Sequence, residues 1–155
     1  MIKVALALLV VASTAHAQPA TATCPAAKGT PLVQIDHEVR PGLKGATAHI
    51  KVYDGGAWTA VAANEQGQST LKDSGCLDKD TLAKVRADIK GAPWTVKHNR
   101  VHCMMVASTF TVFSFNGKEV FREMACNPDA LDDASQKNLT DLQAVLHEAH
   151  VPVGW

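Results

Sequence analysis

The chain has 155 residues, enough for one domain of ordinary size, and its fifteen basic and fifteen acidic side chains balance. A neutral surface with no like-charge block argues against a nucleic-acid binder and against an electrostatic membrane sticker. Beyond the extreme N-terminus no apolar run approaches the roughly 20 residues that a bilayer span needs.

Residues 1–17 read as a signal peptide. Lys3 supplies a positive start, Val4 to Ala12 an apolar run too short to span a bilayer, and Ala15-His16-Ala17 a small-residue cleavage site before Gln18. Lipid attachment at Cys24 is disfavoured, because Thr21-Ala22-Thr23 precede it and Gln18-Pro19 already breaks the apolar segment. Residues 18–30 are expected to be a flexible leader, and 31–155 a single α+β domain. Leu32, Ile35 and Val39 suggest a strand ending at Pro41-Gly42. Ala48, Ile50 and Val52 alternate with His49, Lys51 and Tyr53, the period of a half-buried strand. Asp54-Gly55-Gly56 is a turn, and Ala57 to Ala63 returns from it. Asn64 to Gly75 is expected to be a polar loop.

Asp78 is a natural N-cap for a helix whose Leu82, Val85 and Ile89 form one apolar stripe. Gly91 is placed at its left-handed C′ position, with Pro93 preventing continuation. Trp94 to Arg100 leads into a second β region, with a further strand expected at Val101 to Val106. Phe110 to Phe115, Asn116-Gly117 and Lys118 to Ala125 read as a hairpin with a type I′ turn. Asn127-Pro128-Asp129 is a turn, and a second helix is expected from Asp132 or Asp133. Its buried face is Leu139, Leu142, Val145, Leu146 and Ala149, and Pro152 lies past its end.

These elements suggest a pseudo-repeat, 31–94 and 95–155, each a hairpin followed by an amphipathic helix packed on a mainly antiparallel sheet. Cys24, Cys76, Cys103 and Cys126 all follow the cleavage site, and an even count in an exported chain reads as two disulfides. Equivalence of the halves favours Cys24–Cys76 and Cys103–Cys126. Spacing alone leaves all three connectivities open.

His98, His102 and Cys103 beside Met104 and Met105, with His147 and His150 near the C-terminus, are the candidate metal ligands. A disulfide-bonded Cys103 could not ligate as a thiolate, and methionines commonly fill cores. Near a helix C-terminus, His147 and His150 are also favoured by the helix dipole alone. No nucleophile elbow and no phosphate-cradling glycine loop occur. Asp132-Asp133 and Asp78/Asp80 are accounted for as helix N-terminal charge, and Asn138-Leu139-Thr140 as a chance sequon within a helix. Trp58, Trp94 and Trp155 are read as closing the ends of the core.

The motifs VYDGGAWTAVA, LDKDTLAKVRADI, FTVFSFNGKEVF and LTDLQAVL together resemble the emfourin-type bacterial inhibitors of thermolysin-like metalloproteases. The four cysteines, signal peptide and extra N-terminal segment depart from that pattern. The resemblance implies an α+β topology and an inhibitory role, with no inhibitory residue assigned. The expectation is therefore a secreted or periplasmic, non-catalytic binding module without a cofactor, its partner a secreted protein or protease. It is not expected to enter the membrane once the signal is removed. A periplasmic copper- or zinc-handling protein and a secreted enzyme with a hidden site are the alternatives.

Overall fold

Antiparallel strands fill most of the first half of the described chain. The computed structural model describes residues 24–98, 107–124 and 129–153. Strands β1 (Val33–Val39), β2 (Thr47–Val52), β3 (Ala57–Ala63) and β4 (Ser69–Cys76) form an antiparallel meander. After α1 (Lys79–Gly91) come β5 (Val96–His98), β6 (Thr109–Phe115) and β7 (Lys118–Met124), then β8 (Asp129–Leu131) and α2 (Asp133–Glu148). The main sheet has six strands in the order β4-β3-β2-β1-β6-β7, and β5 pairs with β8 in a separate two-stranded ribbon. Among the described residues every pairing is antiparallel, and with the two helices this makes the class α+β.

One face of the sheet carries the core. Val33 and Ile35, then Ile50 and Val52, Trp58 and Ala60, and Phe113, Phe115 and Phe121 meet Leu82, Val85 and Ile89 of α1. Leu139, Leu142 and Leu146 of α2 complete the same cluster, with Val145 and Ala149 at its margin. Two aspartates start the helices. Asp78 accepts the Thr81 N–H and Asp132 the Ser135 N–H, each at 2.8 Å. Ser135, fully buried, also accepts the Thr95 N–H at 3.1 Å, and the Asp132 N–H donates to the Thr95 carbonyl. The start of α2 is thereby locked to the segment entering β5.

The hairpin at Asn116-Gly117 has positive φ at both residues, 52° and 76°, as a type I′ turn requires. Three local expectations are corrected. The stretch Asn64 to Gly75 is mostly strand, not loop. Asn64 accepts the N–H groups of Gln66 and Gln68, closing a tight turn, and Ser69–Cys76 then pairs along β3. That strand lies at the sheet edge and is largely exposed, so burial imposes no apolar alternation on it. Gly91 is the last residue of α1, and the left-handed residue is instead Trp94, at φ 50°. The indole compensates for the strain. It packs on Phe115 with ring centroids 4.5 Å apart, and its Nε1–H donates to the Ile89 carbonyl at 2.7 Å, satisfying an orphan helix-end acceptor. Asp129 opens a strand rather than ending a turn.

The two segments do not contribute alike: 31–94 supplies four strands of the sheet, whereas 95–155 supplies the β6–β7 hairpin and the separate ribbon. Residues 24–30 carry no helix or strand. The expected signal peptide, the strand at Val101 to Val106, and the Asn127-Pro128 turn lie outside the described residues, as do His102, Cys103, Cys126 and Trp155. Among the described residues no helix is long and apolar enough to cross a membrane.

Candidate functional site

Strand register builds a groove on the helix-bearing face. Along β1 that face presents Val33, Ile35 and then His37. Register across the sheet aligns His37 with Ala48, Ala62 and Leu71 on one side, and with Thr111 and Glu123 on the other. The preceding rung contains Ala60, Ile50, Ile35, Phe113 and Phe121, mostly bulky side chains under the helices. The step from that rung to a more polar one gives the floor both apolar and polar side chains. The C-terminal half of α2 forms the wall through Thr140, Gln143, Ala144, His147 and Glu148, joined by Val153. The resulting cavity is about 670 Å³, within the range of ligand sites.

His37 is oriented by Thr111, its Nδ1 lying 3.1 Å from the hydroxyl oxygen. It also borders a second depression of about 290 Å³ at the β2–β3 end, lined by Ala46, Thr47, Ala48, Ala62, Ala63, Asn64 and Thr70. The two hollows therefore meet at His37. One has an acidic margin, Glu123 and Glu148, and the other is lined by small, uncharged side chains.

The opposite face carries a polar cluster. Asp36 is 7% exposed and accepts from Gln34 Nε2 at 2.6 Å through one oxygen and from His49 Nδ1 at 2.8 Å through the other. Facing a carboxylate, His49 can donate from Nδ1, and its side chain is 44% exposed. Such an imidazole could act as a base or a ligand. Among the described residues, however, no hydroxyl or thiol is bonded to it.

The candidate metal ligands are dispersed. His98 lies on β5 and pairs with Asp129 on β8. His147 sits in the last turn of α2 and faces the groove, while His150 follows the helix at φ 59° and donates its N–H to the His147 carbonyl. Among the described residues no three His, Cys, Asp or Glu side chains are grouped to hold a metal ion. Cys24 and Cys76 are joined by a disulfide, with Cα atoms 5.7 Å apart. Trp58 lies in the core, and the partly buried Trp94 packs against it.

His37, Asp36, His49 and Glu123 were not singled out from the sequence. A usable signal was present in residues 33–39. Strict period two puts His37 on the same face as Val33 and Ile35, whereas the spacing Leu32, Ile35, Val39 obscures that parity. Compared with family models, curated proteins and solved structures, the chain matches none.

Proposed function

We propose that the protein is an exported, non-catalytic binding module that recognises a protein partner through the groove between α2 and the β1–β6–β7 face. The observation that carries this reading is the groove itself, a cavity of about 670 Å³ with an apolar floor at Ile35 and Phe113 and a rim of uncharged and charged polar side chains. That combination suits recognition, because apolar contact supplies affinity while a few polar groups set orientation. Its floor is sheet and its wall is helix, so little ordering cost falls on binding. The apolar N-terminal run and the Cys24–Cys76 disulfide support placement outside the cytoplasm. In the same reading the hairpin-plus-amphipathic-helix segments form one scaffold, and their resemblance to emfourin-type inhibitors makes a secreted thermolysin-like metalloprotease the first partner to test.

The test uses the mature, oxidised chain as bait in the secreted fraction of the producing cell, with a Gln143→Trp variant that fills the groove as control. Gln143 is half-buried on α2. A partner retained by the native chain and lost by the variant is expected. Capture of no partner, or equal capture by both, counts against the reading. Titration of the captured protease activity with the chain then separates inhibition from binding alone.

A further inference from the structure

We infer that the groove takes an extended peptide segment laid across the strands, with a basic side chain at the Glu123–Glu148 end and a small apolar side chain at the Ala48–Ala62 end. This rests on the binding-module reading and specifies the chemistry of its partner. Shape is the first argument. The two hollows meet at His37 and follow its rung across the strands, with Ile35 and Phe113 of the neighbouring rung bordering the first of them, and an extended chain can lie along such a rung. From Ala62 on β3 to Glu123 on β7 the rung crosses β2, β1 and β6. At roughly 4.8 Å per strand spacing this is about 19 Å, the length of about six extended residues.

Charge is the second argument. Glu123 and Glu148 are exposed, border the same hollow, and enter no ion pair among the described residues. The other end offers Ala46, Ala48, Ala62 and Ala63 and no charge. A ligand complementary to both ends must itself be polar at one end and apolar at the other. Between them His37, Thr111, Thr140 and Gln143 present ring nitrogens, hydroxyls and an amide, donors and acceptors suited to a peptide main chain.

The experiment measures fluorescence anisotropy of capped, labelled six-residue peptides with the oxidised full chain. One peptide pair carries lysine at one end and valine at the other, in both polarities. A matched pair replaces lysine by norleucine. The lysine peptide is expected to bind in one polarity, and Glu123→Gln with Glu148→Gln to raise its Kd at least tenfold while leaving the norleucine peptide unchanged. Ala62→Leu, which fills the small end, is expected to abolish binding of both. Circular dichroism confirms folding, and the two exposed glutamate substitutions keep the test decisive if Ala62→Leu unfolds the chain. Absence of binding, equal affinity for lysine and norleucine peptides, or indifference to the glutamate changes overturns the assignment. If an exported partner is still captured by the glutamate variant, the binding-module reading stands and the peptide assignment falls. If the peptides behave as expected but no partner is captured, the peptide-binding groove stands and the exported protein partner falls.

Discussion

Gly75 lies on β4 directly opposite Trp58, and a Cβ placed there would come within 2.8 Å of the indole. Trp58 is 6% exposed and packed in the core, so its ring has little freedom to retreat. Glycine is therefore required by close approach rather than by backbone conformation. Gly75→Ala is expected to destabilise the chain by about 1–3 kcal/mol through overpacking, read as a lower urea midpoint at unchanged slope. An unchanged midpoint would show that the indole moves freely. Buried Asp36 illustrates the same residue-scale logic in polar form. Its carboxylate is retained on an open sheet face because Gln34 and His49 occupy its two oxygens.

At the scale of elements, the two helices carry charges of opposite consequence. Asp78 and Asp132 are held below the ordinary aspartate value, chiefly by the backbone N–H groups of Thr81 and Ser135. Depressed values mean that their stabilisation is present above pH 3.8 and lost as pH falls through the lower folded values. Asp88 on α1 goes the other way, raised by partial burial and then by the charge of Asp141 on α2, with Lys137 opposing. Its ionised form is the less favourable one in the fold, so its penalty grows as pH rises from 3.8 through the raised value. Asp88→Asn is expected to raise the melting temperature by a few degrees at pH 7, an advantage that vanishes below pH 3.8. Thermal melts at pH 7 and pH 3 decide it; an equal gain at both would assign the effect to packing.

For the whole molecule, the Cys24–Cys76 disulfide joins residues 52 apart and fastens the start of the described chain to the edge strand β4. It closes nearly the whole four-stranded meander into one loop. Loop-closure entropy for such a separation stabilises the fold by about 4 kcal/mol in the chain-entropy limit. The double variant Cys24→Ser with Cys76→Ser is expected to unfold at correspondingly lower denaturant, while the helical circular dichroism of its native baseline persists. The core built by α1, α2 and the six strands does not depend on the cross-link for its contacts. A native baseline without helix would show instead that the meander folds only when tied.

Much of the architecture was legible because it is set by neighbours in sequence. The turns at Asp54–Gly56 and Asn116-Gly117 need residues that accept positive φ or tight geometry. The helices announce themselves through Asp78 and Asp132 caps and through stripes such as Leu82, Val85 and Ile89. Strand β4 escaped notice because an exposed edge strand takes its hydrogen bonds from β3 and needs no apolar face of its own. The groove was illegible for a related reason. Its residues come from β1, β6, β7 and α2, and what unites them is register across the sheet together with the path of α2 above it. Capping, turn chemistry and periodicity act over a few residues and can be read along the chain. Which side chains share a cavity depends on pairings that exist only once distant segments have packed.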